Sequence, residues 1–273
     1  MKITRKIYQG SPLLTWFGLA NFMVFLVLLV LSFFDERTLL GINIWIKPIK
    51  FCISIAVFSW TMAWFLGYLP QRRQTKHIAF WIALMLFVEQ VIIIGQAARG
   101  EISHFNTSTP FNAALFNIMG LAILINTIMV FWAYRLFGKA AHLAKGYRRG
   151  IRLGMLIFIV ASLEGYVMAA QLGHTVGASD GQEGIFFLNW AKQYGDLRIF
   201  HFLGLHAIQI IPLFAWFISP HRTLAVNLFA FFYFIFSLGT LWNALLGHGI
   251  YFNDSLFSGV DWPLINFEIP RLS

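Results

Sequence analysis

The stretch PLLTWFGLANFMVFLVLLVLSFF (12–34) decides the fold. It contains no charged residue and exceeds the roughly 20 residues, at about 1.5 Å rise each, that carry a helix across a bilayer. Six further stretches meet the same requirement: 44–68, 78–98, 112–137, 152–173, 198–219 and 224–247. Together they predict an all-α membrane protein, a seven-transmembrane-helix bundle forming a single integral membrane domain over 1–273, with a non-spanning tail at 248–273. The basic leader MKITRKIYQG reads like the start of a signal peptide. The apolar run behind it is too long for one and no small-residue cleavage site follows, so a retained helix is expected.

Composition agrees. Apolar residues are 59% and charged residues 11% of the chain, with a mean hydropathy of +0.71, against about 25% charged residues in ordinary soluble domains. That excludes soluble, disordered, collagen-like and coiled-coil classes. The lone Cys52 excludes an intrachain disulfide framework and a cysteine-based zinc cluster.

Orientation follows from Lys and Arg. With the N-terminus cytoplasmic, the inner side holds Lys2, Arg5, Lys6, Arg72, Arg73, Lys76, Arg135, Lys139, Lys145, Arg148, Arg149, Arg152 and Arg222. The outer side holds only Arg37, Lys47, Lys50, Arg99, Lys192, Arg198 and Arg271. The C-terminus is then outside. The net charge of +9 needs no nucleic acid, because basic loops beside anionic membrane lipids account for it. This orientation is the reverse of rhodopsins and G-protein-coupled receptors. The progestin-receptor and ceramidase superfamily shares it but needs a histidine pair on the last helix, where this chain has only His248 at the end.

The chemistry-bearing residues gather in the outer half. Counted inward from the helix ends, Glu89 and Glu164 lie roughly 13 Å deep, His206 roughly 12 Å and Lys50 roughly 9 Å. A second layer nearer the surface holds Gln96, Gln171, His201 and Arg198, with His104 and His174 on the loops. Glu89/Gln96 and Glu164/Gln171 each stand seven residues apart, so each pair shares a helix face. Carboxylates inside a membrane are costly and need partners. Structural pairing with Lys50 or Arg198 is the plain reading. A metal or a shared proton is the sharper one. His201 and His206 are separated by about 140° around their helix and cannot chelate one ion from a single face. Lys47 reads as snorkelling to the interface.

The segments WIKPIKF (45–51), RGEISHFNTSTPFN (99–112) and GDLRIFHFLGLHAIQ (195–209) resemble those of uncharacterised bacterial multi-pass membrane proteins. The resemblance implies an inner (plasma) membrane location and brings no activity or site residue across.

The residues themselves lead to three expectations. The first is a metal-binding membrane enzyme or redox protein acting on a lipid-like or small periplasmic substrate. Its ligands would be His206, His201, His174, His104, Glu164 and Glu89, holding zinc or iron, with haem as a further option if two histidines face one another. Glu89, Glu164, Lys50 and Arg198 would be the catalytic and anchoring groups, and Gln96, Gln171 and Gln209 would line the cofactor space. The second is a proton-coupled transporter using Glu89 and Glu164. The third is a non-catalytic ligand-binding or sensor module.

Overall fold

The structure, a computed structural model, describes residues 2–70, 73–185 and 187–250. Among them, seven helices are long and apolar enough to cross a membrane, which makes the chain an integral membrane protein. They are α2 (Pro12–Leu31), α3 (Ile46–Leu66), α4 (Arg73–Ala98), α5 (Pro110–Phe137), α6 (Lys145–Ala170), α7 (Arg198–Phe217) and α8 (Thr223–Leu245). They are preceded by a short helix, α1 (Lys2–Gly10), that hydropathy alone does not single out. The expected tail lies outside the described residues from 251 onward.

Local chemistry sets the helix starts. Ser11 and Thr109 accept hydrogen bonds from Leu14 N and Asn112 N, and each is followed by a proline whose missing amide costs nothing in the first turn. Helices α4 and α6 begin one to two turns before their apolar runs. Hydropathy marks only the part that hydrocarbon must cover, and the polar starts 73–77 and 145–151 continue the same helices into the headgroup zone.

The core is centred on α3, whose buried residues include Ile49, Met62, Phe65 and Leu66. Phe58 of α3 stacks on Phe158 of α6 with centroids 5.3 Å apart, and Trp64 meets Trp216 of α7 edge-on at 5.2 Å. Lipid tails are as apolar as leucine, so such contacts and close backbone approach, not hydrophobic exclusion, hold membrane helices together.

Helices α6 and α7 approach closely over several turns. An ideal Cβ built on Gly154 would lie 2.7 Å from the Ala207 carbonyl oxygen, and one on Gly150 would lie 2.7 Å from Ala215 Cβ. Gly204 of α7 is equally tight against Ala161, whose Cβ would be 2.3 Å away. Gly146 continues the row, where a Cβ would meet Ser219 O at 2.6 Å.

The connections segregate into two ends. At one end Gly10 packs on Gly67, and Tyr147 N donates to Pro220 O. This is the end carrying the basic loops. At the other end the hairpin β1–β2 (Thr38–Leu39 and Ile42–Asn43) turns through Leu40 and Gly41, both at positive φ. Such a turn suits the twist of a two-residue hairpin. Strands β3 and β4 (Thr175–Val176 and Gly195–Asp196) pair antiparallel and close the long 171–197 loop at its base. Arg37 donates to Ala98 O, which ties the hairpin to the end of α4.

Gly154→Ala should lower the thermal midpoint in detergent, because the new methyl meets backbone; overpacking of this kind costs about 1–3 kcal/mol. Gly95→Ala, with nothing within 4 Å of its Cβ position, should be neutral or stabilising by up to about 1 kcal/mol through helix propensity. Equal responses at the two positions would contradict the close α6–α7 packing.

Candidate functional site

Four helices and two loops supply the site at the loop-rich end. The small-residue row of α6 continues to Gly165, where an ideal Cβ would be 3.1 Å from His201 Cε1. The His201 ring therefore lies against α6, and its Nδ1 comes 3.1 Å from Glu164 Oε2. The other carboxyl oxygen, Oε1, is buried without a hydrogen-bond partner. Glu164 is nearly sealed, with 6% of its side chain accessible, whereas His201 keeps 27%.

A second carboxylate–imidazole pair faces it. His104 Nε2 stands 3.9 Å from Glu89 Oε1, too far for a direct hydrogen bond. Ser103 Oγ lies 3.1 Å from the other ring nitrogen, Nδ1. Phe51 and Phe116 flank the His104 ring at 5.6 and 6.5 Å between centroids. The loop carrying His104 is held by Gln96, which donates to Asn112 Oδ1 at 3.1 Å and accepts from Arg99. Gln96 therefore positions the loop. Gln171 does only local work, donating to Gly173 O.

A third cluster lies in the long 171–197 loop. His174 Nδ1 is 3.2 Å from Asp180 Oδ1 and 4.0 Å from Asp196 Oδ1. Asp180 also accepts from the backbone N–H groups of His174 and Thr175. Asp196 is fully buried and held by Arg198 Nε at 2.9 Å and Ala191 N at 2.8 Å. The Arg198 guanidinium also donates to the Asn189 carbonyl, so it is committed to the loop and not left free as an anchor.

Charge and burial decide which groups ionise. Burial holds His104 well below the usual histidine range, reinforced by the positive charge of Lys47 and by His201 and His174. Burial likewise pushes His174 down to about 4, with Arg198 adding to the effect and Asp180 and Asp196 opposing it. Burial works against ionising Asp196, but the Arg198 hydrogen bond and charge keep its carboxyl below the ordinary value. The imidazoles of His104 and His174 are therefore held neutral, each with one nitrogen to donate and one to accept a hydrogen bond.

The lysines exchange their expected roles. Lys50 donates to Leu188 O at 3.1 Å and pins the long loop, making no contact with either glutamate. Lys47 is half-buried. The loop folds over the start of α3 and leaves the Lys47 ammonium within electrostatic range of Glu89, Asp180, Arg198 and Lys50. His206 is also placed elsewhere. Its ring packs on Phe202 with centroids 4.3 Å apart, beside Gln209, and no hydrogen bond or ion pair joins it to Glu89 or Glu164. Gln209 Oε1 is buried and unpartnered, and it lines a separate small pocket with Thr61, Trp64, Tyr147 and Pro212.

The site thus unites Glu89, Glu164, His104, His174, His201, Arg198 and Lys50 from the expected set, adds Lys47, Asp180 and Ser103, and leaves out His206, Gln171 and Gln209. Asp180 had a signal: an aspartate before Gly181 in ASDG, six residues from His174, is a turn acceptor. Among the described residues no three His, Cys, Asp or Glu side chains gather closely enough to hold a metal ion. No protein-family model, curated protein or solved structure matches the chain, and the site is read from its own residues.

The neutral state of His174 has a consequence for stability. Its folded value of about 4 lies below the roughly 6.5 of an unfolded histidine. The unfolded chain therefore binds the proton first, and stability is lost as pH falls through this window. The thermal midpoint should drop between about pH 6.5 and pH 4, and His174→Gln should flatten that slope. An unchanged slope in His174→Gln would show that His174 is not held neutral.

Proposed function

We propose that this membrane protein binds a small polar ligand beneath its long loops and moves a proton to or from it, with Glu164 and His201 as the acid–base pair. The observation behind this reading is Glu164. One of its oxygens orients the His201 imidazole through Nδ1, and the other is buried with no partner. A buried acceptor left unsatisfied costs about 1–3 kcal/mol, more when charged, and the cost rises inside a membrane. A proton or a ligand donor relieves it.

The arrangement follows the logic of paired carboxylate and imidazole in proton-transfer sites. The carboxylate fixes the tautomer and leaves the far nitrogen, Nε2, to take or give a proton. The 3.9 Å gap between His104 and Glu89 fits one bridging water or ligand atom. Lys47, within electrostatic range of Glu89, carries N–H donors that suit a ligand with an acceptor oxygen, either a small periplasmic molecule or a lipid headgroup.

Proton-coupled transport is a second reading. It is favoured by the pocket at Gln209, Thr61 and Tyr147, which puts polar groups in the otherwise apolar half of the bundle. The zinc or iron expected from the histidine count has no comparable geometric support, and it enters as one arm of the test.

Infrared difference spectra of the protein in proteoliposomes, taken across a pH step, should contain a carboxyl signal that disappears in Glu164→Gln. The same signal should shift in His201→Ala. Spectra unchanged by Glu164→Gln would remove the acid–base reading. Stabilisation of the wild type by zinc or iron, lost in the same variant, would replace it with a metal site.

A further inference from the structure

The basic end of the bundle carries an unbalanced charge. The segments 2–11, 66–78, 132–152 and 214–228 contain no aspartate or glutamate. Lys145, Arg148 and Arg152 follow one another at spacings of three and four in α6, so they share one helix face. Like charges at this spacing repel, and nothing in these segments offers a carboxylate to offset them.

Arg152 is fixed in place. Its guanidinium carbon lies 4.5 Å from the centroid of the Tyr134 ring in α5. An ideal Cβ on Gly138 would be 3.9 Å from the same carbon, so the side chain reaches across from α6 to the end of α5. The Nε atom is sealed there without a hydrogen-bond partner. Stacking on a tyrosine face stabilises the cation but satisfies none of its N–H donors. Lys139, exposed, follows Gly138 directly in the chain. The neighbouring Arg149 is used differently: its Nε donates to Asn227 at 2.8 Å.

A planar guanidinium stacked on a tyrosine ring, a second arginine one turn away and a nearby lysine suit a phosphate group, which arginine binds through two parallel N–H···O contacts. The place of these residues decides the source. They stand where two membrane-spanning helices emerge into the headgroup zone, the level at which basic pockets between helices bind anionic lipid. We propose that Arg148, Arg152 and Lys139, at the junction of α5 and α6, bind the phosphodiester group of an anionic phospholipid. This site is independent of the acid–base cluster at the opposite end.

The test is thermal stability of the full-length protein in neutral detergent, titrated with phosphatidylglycerol, phosphatidylcholine or inorganic phosphate. Phosphatidylglycerol should raise the midpoint of the wild type. The concentration needed should rise about tenfold or more in Arg152→Gln, matching the loss of charged hydrogen bonds. Arg152→Lys should fall between the two. Lys76→Gln, at the same end but on α4, should behave as wild type. If Arg152→Gln cannot be purified, Arg148→Gln carries the same expectation. An unchanged phosphatidylglycerol dependence in the Arg148 and Arg152 variants would overturn the proposal. So would equal stabilisation by inorganic phosphate, which would assign the site to a free anion.

Discussion

Gly146, Gly150, Gly154, Ala161 and Gly165 leave one face of α6 with almost nothing beyond backbone, and α7 fills the space. In lipid there is little hydrophobic gain from bringing two apolar helices together, so the contact depends on how closely the backbones approach. The same approach sets the chemistry. It lays His201 against Gly165 and within 3.1 Å of Glu164. A bulkier residue anywhere along the row would separate the helices and, with them, the pair.

The spans were legible because the bilayer demands about 20 apolar residues per crossing, and all seven appear where hydropathy places them, with only the starts of α4 and α6 lying one to two turns earlier. Axial spacing along each helix was legible too, since 1.5 Å per residue is fixed by helix geometry. Azimuth was not. His201 and His206 lie on different sides of α7, and only the packing against α6 selects His201 as the partner of Glu164. Lys47 and Lys50 illustrate the same limit. Their order along α3 suggests that the deeper lysine meets the glutamates, but the 171–197 loop folds over the helix start, engages Lys50 through Leu188 O and leaves Lys47 beside Glu89.

The two ends of the bundle differ in kind. The loop-rich end carries carboxylates matched to arginine, lysine and neutral histidine, so its groups are largely satisfied from within, with Glu164 Oε1 the notable gap. At the basic end the segments 2–11, 66–78, 132–152 and 214–228 hold no acidic residue to match their cations. A ligand site at one end and an anionic-lipid anchor at the other are consistent with this division, each following from where the opposite charges are and are not supplied.

Helices α6 and α7 hold Glu164 and His201 together as one unit. A double-mutant cycle with Glu164→Gln and His201→Ala, read as thermal stability in detergent, tests it most directly. Coupled removal should cost less than the sum of the single changes, with an interaction of about 0.5–3 kcal/mol. Strictly additive losses would mean that the two side chains do not act together.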